Sequence, residues 1–323
     1  MCPLRRNLPN PWLSTLRFPS RAGNLSAADR GRSRARIDGA VPLRGAPLPK
    51  GIVNATVFLD PHQFQRDVIR LGSVESVYRD LLSRSVLLRS CLDGQSAGPA
   101  RVCDATCYVD ENPVGADLLK VGESLFSLDL LSSQGVQTAI GTALHAAAVV
   151  NTTLRSSEDR GMASEFYKRR QREAIAFHVG AATRLYQQVA TRYPAEFWQL
   201  RAKANVEYQV ESNDDNVVRT DIDRDLPSQD RRCQLAHRIR ISPLACIDGD
   251  FVVERYAAAH PGRLRPTVFV REVEIAPLLQ FFRTPLTLKE ARDFWSRTLD
   301  GAKIDELLRW IWARGLIEPA DCL

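Results

Sequence analysis

The sequence predicts an α+β protein, in which helices and strands occupy separate stretches of the chain. Two long segments, at about 136–153 and 165–190, carry the helical spacing of apolar residues. Short β-rich runs lie before them, such as Ile52–Leu59, and after them, at 251–256 and 267–275. Hydrophobic residues make up 44% of the 323 residues and charged residues 25%, which is typical of a folded globular protein and excludes a disordered or fibrous chain.

The positive charge of the chain is concentrated near its start. Residues 1–45 hold nine arginines against Asp29 and Asp38, whereas the whole chain has a formal net charge of +6. Because this stretch mixes Arg, Pro, Gly and Ser without a sustained period, we expect a disordered Arg-rich leader over residues 1–46. A basic leader alone does not indicate a nucleic-acid partner, and we expect none.

The sequence gives no sign of secretion or of a membrane partner. The first residues have no apolar run followed by a cleavage site, and the longest uncharged stretch, around 125–154, is interrupted by polar residues. Seven scattered cysteines, an odd number, fit reduced thiols better than a disulfide framework. We therefore expect a cytoplasmic protein, and no metal site, because Cys103 and Cys107 lack further ligands at a suitable spacing.

Residues 47–210 form the first expected domain, built on a mixed β-sheet with helices. Asp60-Pro61 is interpreted as the end of the first strand. In chain order the expected elements are a strand at 52–59, a helix at 74–91, strands at 100–109 and 118–122, helices at 136–153 and 165–190, and a continuation at 196–208.

A charged and polar linker at 211–234 precedes the second expected domain, residues 235–323. Its strands at 251–256 and 267–275 are followed by helices at 288–298 and 303–313. Thr287 and Glu290 have the spacing of a capping box, and Gly315 lies where a helix C′ glycine belongs. This order is typical of a small winged-helix-like domain. Between residues 287 and 315 there are six basic and five acidic residues. Because a DNA-binding surface needs an excess of positive charge, a protein or peptide partner is favoured over DNA.

The most informative segment runs from Gly122 to Val136. A short strand is expected to deliver Gly122 and the carboxylate of Glu123 at its carboxyl end. A tight loop then presents backbone N–H groups at the start of an alanine-rich helix, where the helix dipole is positive. Such a cradle suits an anion or an electron-rich heterocycle. The residues expected to bind through this loop are Ser132, Ser133, Gln134, Gly135 and Val136.

This segment resembles the second flavin-binding motif of FAD-dependent monooxygenases and halogenases of the glutathione-reductase-like class. More narrowly, its Ser-Ser-Gln-Gly-Val core is similar to that of tryptophan-halogenase-like flavoproteins, including the monooxygenases that modify peptidyl Trp during maturation of quinone-cofactor amine dehydrogenases. Segments at 53–58, 102–108 and 166–173 match the same group in the same order. The resemblance covers roughly residues 47–320.

The resemblance implies an FAD-dependent oxidoreductase, a monooxygenase acting on an aromatic small molecule or on peptidyl Trp. It implies that Glu123 contacts the ribityl chain of FAD, and that the loop from Ser132 to Val136 meets the flavin ring through its backbone. Glu123 stands where the family has Asp, and Leu130 where it has Pro. The halogenase motif W-x-W-x-I-P is absent, which favours hydroxylation, although halogenation remains open.

No G-x-G-x-x-G occurs in the chain, and this motif opens the Rossmann unit that holds the FAD pyrophosphate. The chain is therefore expected to match the C-terminal portion of such a flavoprotein, without its N-terminal Rossmann unit. The alternative function is a truncated, non-catalytic remnant, or a module that binds a peptide or protein through residues 235–323. The sequence does not identify a catalytic acid or base.

Overall fold

The computed structural model describes residues 5–7, 14–21, 34–38, 41–49, 52–86, 88–203, 225–261 and 265–320. Over these residues the strands are β1 (Arg5–Asn7), β2 (Ser14–Arg21), β3 (Arg34–Asp38), β4 (Val41–Leu48), β5 (Ile52–Leu59), β6 (Arg101–Asp104), β7 (Tyr108–Asp110), β8 (Phe126–Ser127), β9 (Arg232–Leu235), β10 (Arg240–Asp248), β11 (Phe251–Ala259), β12 (Phe269–Val270), β13 (Val273–Glu274), β14 (Leu286–Thr287) and β15 (Ile317–Pro319). The α-helices are α1 (Pro61–Leu71), α2 (Val74–Arg84), α3 (Gly135–Arg155), α4 (Arg160–Arg192), α5 (Glu196–Lys203), α6 (Ile275–Gln280), α7 (Leu288–Trp295) and α8 (Gly301–Ala313).

The chain divides into two compact units. The first comprises Met1–Ala146 and Lys168–Val210, and the second comprises Ala147–Tyr167 and Glu211–Leu323. Residues 147–167, which the sequence assigned to the first domain, therefore belong with the second. Most of the linker expected at 211–234 lies outside the described residues, and β9 already belongs to a sheet of the second unit.

A five-stranded sheet in the order β3-β4-β5-β2-β6 forms the centre of the first unit. Each of its described pairings is antiparallel, so the expectation of a mixed sheet is wrong. The short connection from β4 to β5 permits only a hairpin, whereas parallel neighbours need a long crossover.

Two strands of this sheet, β2 and β3, and most of β4 lie within residues 1–46, where the sequence predicts a disordered leader. The described parts of that stretch are therefore corrected to strands, and the rest of the leader lies outside the described residues. The sheet accounts for the difference, because β2 and β4 supply the hydrogen-bonding partners on either side of the buried strand β5.

The core of the first unit lies between β5 and the helices α2 and α5. Ala55, Val57 and Leu59 are fully buried on β5. From α2, the Tyr78 hydroxyl donates a hydrogen bond of 3.0 Å to the Ala55 carbonyl. Phe197 of α5 closes this core, with its ring edge-on to the ring of the next residue.

Helix α1 begins where the sequence was interpreted as the end of a strand. The Asp60 carboxylate accepts hydrogen bonds from the amides of His62 and Gln63, and Pro61 occupies the first helical position. Proline is favoured there because its missing N–H would have no intrahelical partner. Asp60-Pro61 is thus both a strand end and a helix start.

The second unit contains the three-stranded sheet β14-β9-β15, the hairpin β10–β11, and helices α6 to α8. The capping box at Thr287 and Glu290 is confirmed, and Gly315 has the expected positive φ of 63°. The strand expected at 267–275 is instead a tight hairpin of β12 and β13 followed directly by α6. Arg271 and Glu272 turn that hairpin, both with positive φ.

Residues of α3 contact the hairpin β10–β11 within the second unit. The Thr152 hydroxyl accepts a hydrogen bond of 2.7 Å from the Val252 amide and donates one to the Ala148 carbonyl. The Arg155 guanidinium lies 4.0 Å from the centre of the Phe251 ring. These contacts explain why residues 147–167 belong to this unit.

Candidate functional site

Gly122 begins a tight turn that packs directly against α3. The structure forms a 3₁₀ turn over Gly122–Ser124 in place of the expected strand at 118–122, of which only one bridge, between Val114 and Leu119, is present. Gly122 has φ of 55°, and its amide donates to the Thr142 hydroxyl at 2.9 Å. A Cβ at this position would lie 3.1 Å from the Ala139 Cβ, so glycine permits both the turn and the close approach.

The loop between β8 and α3 is fixed by its own side chains. Asp129 accepts a hydrogen bond from the Leu131 amide at 2.9 Å, and the Ser132 hydroxyl donates to the Asp129 carbonyl at 2.6 Å. Ser133 adopts the left-handed conformation, with φ of 54°. A non-glycine residue in this conformation costs free energy, so its surroundings must hold it there.

A small cavity of about 70 Å³ lies against this loop and the start of α3. Its lining includes five of the residues selected from the sequence: Gly122, Glu123, Ser133, Gln134 and Gly135. A Cβ built on Gly135 would have no heavy atom of the described residues within 4 Å beyond its chain neighbours, so the helix start faces open space. The first N–H groups of a helix have no intrahelical partner, and they favour acceptor or anionic groups.

A larger cavity of about 520 Å³ also lies against this loop. Most of its lining is apolar, and the residues are Pro42, Leu43, Arg44, Phe58, Asp129, Leu130, Leu131, Ser132, Ser133, Ala182, Leu185, Tyr186, Val189 and Trp198. They come from β4, β5, the loop, α4 and α5. This volume and this lining are typical of pockets that hold small organic molecules.

The remaining sequence-selected residues divide between the two cavities and the surface. Ser132 lines the larger cavity, and Ser133 lines both. The side chain of Val136 is 77% exposed and lines neither cavity. Six of the seven selected residues therefore line one or both cavities.

A buried polar group joins the loop to α4. The Tyr186 hydroxyl donates a hydrogen bond to the Asp129 carboxylate, and both residues line the larger cavity. Burial raises the pKa of Tyr186, and the negative charge and hydrogen bond of Asp129 raise it further. The hydroxyl therefore stays protonated and acts as a donor.

The charge of Arg201 lies next to this pair. Its side chain is buried, and the guanidinium carbon lies 3.7 Å from the centre of the Phe197 ring. Burial lowers the pKa of Arg201, while the negative charges of Asp129 and Asp60 raise it. A buried cation near the carboxylate offsets part of the cost of burying Asp129.

Sequence reasoning missed Tyr186, Trp198 and Arg201 as parts of the site. Tyr186 and Asp129 are 57 residues apart, and no short-range pattern connects them. One signal was present: Tyr186 lies three residues before Val189, so the two share one side of α4, and a tyrosine hydroxyl on a buried side needs a hydrogen-bond partner.

The described residues contain no group of three His, Cys, Asp or Glu side chains placed to hold a metal ion. Among the helices that the structure describes, none is long and apolar enough to cross a membrane.

Several known proteins are similar to this chain in sequence or in fold. No family model matches the chain. The chain is 31% identical over 132 residues to a tryptophan 2-halogenase from Chondromyces crocatus, a match that covers 40% of this chain and 24% of the halogenase.

Two solved structures match almost the whole chain. One is the peptidyl tryptophan dihydroxylase QhpG, essential for tryptophylquinone cofactor biogenesis, with 18% identity, a TM-score of 0.64, and coverage of 98% of this chain and 66% of that one. The other is the flavin-dependent halogenase CmlS, with 14% identity, a TM-score of 0.69, and coverage of 99% and 65%.

The chain therefore shares its fold with a large part of these proteins, and it spans just under two thirds of each solved structure. The resemblance to halogenase-like flavoproteins predicted from the sequence is confirmed.

Proposed function

We propose that the chain is the substrate-binding and C-terminal portion of an FAD-dependent oxidoreductase, a monooxygenase that acts on an aromatic ring. The observation that carries this proposal is the apolar cavity of about 520 Å³ beside the loop from Asp129 to Ser133. The likeness in fold to a peptidyl tryptophan dihydroxylase and to a flavin-dependent halogenase supports it. The substrate is an aromatic small molecule or the indole ring of a peptidyl Trp.

The larger cavity is suited to an aromatic ring. Leu43, Phe58 and Val189 supply apolar walls, and Trp198 adds a flat aromatic surface. The rings of Trp198 and Tyr186 lie 6.0 Å apart at 38°, within the range at which aromatic pairs attract. A bound ring would displace water from this lining and gain from its burial.

The smaller cavity is suited to the edge of a flavin ring. Gly135 leaves the start of α3 open, and the first N–H groups there would stabilise negative charge on a ring edge. Glu123 lines the same cavity and would contact the ribityl chain. When bound, FAD supplies the redox chemistry that activates dioxygen. The chain itself would hold the ring edge, orient the substrate beside it and exclude water.

The nucleotide half of FAD needs a separate binding site. The sequence contains no G-x-G-x-x-G, so the pyrophosphate site would have to come from another polypeptide segment, such as a Rossmann unit of the glutathione-reductase-like class. We propose that the protein is cytoplasmic, and that residues 235–323 form a winged-helix-like domain that binds a protein or peptide partner.

Two titrations of the full chain test this function. FAD is added first, and bound flavin is detected by its visible absorbance and quenched fluorescence. N-acetyl-tryptophanamide, a probe for peptidyl Trp, is then added and followed by equilibrium dialysis. We expect the probe to bind the larger cavity, and Ala182→Leu to weaken this binding about tenfold because the added side chain fills the cavity.

Ala181→Leu is the matched control, since residue 181 lies next to the cavity-lining Ala182 on α4 but does not line the cavity. Folded protein that binds neither FAD nor the aromatic probe would contradict the proposal. It would support the other function left open by the sequence, a non-catalytic module that binds a peptide or protein through residues 235–323.

A further inference from the structure

The two cavities share one wall. Asp129, Leu130 and Ser133 line both of them, so the loop lies between the apolar cavity on one side and the start of α3 on the other. The position of this loop therefore sets the shape of both cavities at once.

The Asp129 carboxylate ties the loop to α4 by a hydrogen bond. One oxygen of Asp129 accepts the Leu131 amide, which starts the turn, and the other accepts the Tyr186 hydroxyl. Asp129 and Tyr186 are both buried, with exposures of 7% and 5%. A hydrogen bond to a charged group is among the stronger ones.

Ser133, at the end of the loop nearest α3, has the strained backbone conformation. Ser133 has its left-handed φ of 54° within the same turn, and its amide donates to the Leu130 carbonyl at 3.2 Å. Movement of Asp129 would release this turn. Gln134, which follows and lines the smaller cavity, is tied to the turn by a hydrogen bond of 3.4 Å from its amide to the Ser132 hydroxyl.

We propose that Tyr186 is a positioning residue, whose hydrogen bond to Asp129 holds the loop Leu130–Ser133 between the two cavities and couples their occupancy. Tyr186 lines the larger cavity, so a ring bound there contacts the residue that fixes the wall of the smaller one. By linkage, a ligand in either cavity then changes affinity in the other by the same factor. The identity of the two ligands rests on the proposed function, whereas the anchoring of the loop does not.

Hydrogen–deuterium exchange of the full chain without ligand tests the anchoring. Tyr186→Phe removes only the hydroxyl, and we expect amides at 130–138 to exchange about tenfold faster, because the loop opens more often. Asp129→Asn keeps one acceptor oxygen and an amide that can bond the Tyr186 hydroxyl, so we expect a smaller increase. Unchanged exchange at 130–138 in Tyr186→Phe would overturn the proposal.

Tyr78→Phe is the matched control. It also removes a buried tyrosine hydroxyl, the one that donates to Ala55, but on α2. We expect it to lower the free energy of unfolding without accelerating exchange at 130–138. An equal acceleration in Tyr78→Phe would show a global effect and would overturn the positioning role.

Coupling is tested by adding N-acetyl-tryptophanamide in the same experiment. In the wild type we expect slower exchange both at 182–189 and at 130–138. Residues 130–133 line the larger cavity, so a bound probe can slow their exchange in either protein, whereas Gln134, Gly135 and Thr138 line only the smaller cavity. In Tyr186→Phe we expect the slowing at 134–138 to be lost, and equal slowing at 134–138 in both proteins would overturn the coupling. If the probe slows neither segment in the wild type, the aromatic function loses its support, while the ligand-free comparison still decides the role of Tyr186.

Discussion

Gly122 is a residue of the candidate site that no other amino acid can replace without strain. Its positive φ and the 3.1 Å that would separate a Cβ from the Ala139 Cβ are two independent demands for glycine. Gly72, at the end of α1, has a positive φ of 81° but open space around it. A comparison of the two positions therefore distinguishes the cost of backbone strain, which both share, from the cost of steric crowding, which only Gly122 has.

We predict that Gly122→Ala destabilises the protein more than Gly72→Ala does. Alanine in the left-handed region costs about 1–2 kcal/mol at either position. At Gly122, crowding against Ala139 adds about 1–3 kcal/mol. Urea unfolding followed by circular dichroism measures the free energy of unfolding of both variants. An equal decrease in the two variants would contradict the prediction and show that α3 shifts to accommodate the added methyl group at no cost.

His178 is a half-buried group whose charge opposes folding. Burial lowers the pKa of His178 from its ordinary value of 6.5, so the unfolded chain takes up a proton at higher pH than the folded one does. Protonation therefore favours unfolding, and the contribution of this residue to stability falls as the pH drops below about 6.5.

We predict that His178→Gln makes the free energy of unfolding less dependent on pH between about 7 and 5. Glutamine keeps a polar side chain of similar length but takes up no proton. The measurement is a series of urea unfolding curves across that range. His62→Gln, at an exposed position of α1, controls for the removal of an imidazole, and an unaltered slope in His178→Gln would refute the assignment.

At the scale of elements, helix α3 carries an apolar row that the described residues leave exposed. Val136, Ile140 and Leu144 are four residues apart and lie on one helix face, with exposures of 77%, 57% and 65%. Single exposed apolar side chains are ordinary, whereas a contiguous row indicates a surface that associates with something.

We predict that the full chain self-associates through this row. Ile140→Lys and Leu144→Glu together should shift the protein toward a monomer, because they replace apolar contact area with opposite charges. Sedimentation velocity over a range of concentrations measures the effect. Ile69→Lys is the control, since Ile69 is 84% exposed on α1 but stands apart from the row, and a monomeric wild type would contradict the prediction.

Local signals predicted six of the eight described α-helices but missed α1, α6 and the first four strands. The spacing of apolar residues located α3 and α4, and the pair Thr287 and Glu290 located the start of α7. Helix α1 was missed because Asp60 and Pro61 were interpreted only as the end of a strand. The strand expected up to Gly122 failed because its short apolar run forms a single bridge before a turn.

The candidate site could be predicted only where it is continuous in sequence. The segment from Gly122 to Gly135 was found because a glycine, a carboxylate and a helix start follow one another closely. Tyr186 and Trp198 come from distant helices, and only packing brings them to Asp129. The larger cavity is thus a property of the tertiary structure, which the spacing of motifs does not encode.

At the scale of the whole molecule, the polypeptide passes from one compact unit to the other three times, after residues 146, 167 and 210. Neither unit can therefore be excised by one cut. A piece starting at residue 225 would leave Thr152 behind, and the Val252 amide would lose its acceptor. The second unit therefore includes a segment from the middle of the chain, and recombination at the boundary near residue 211 would separate residues 147–167 from the rest of it.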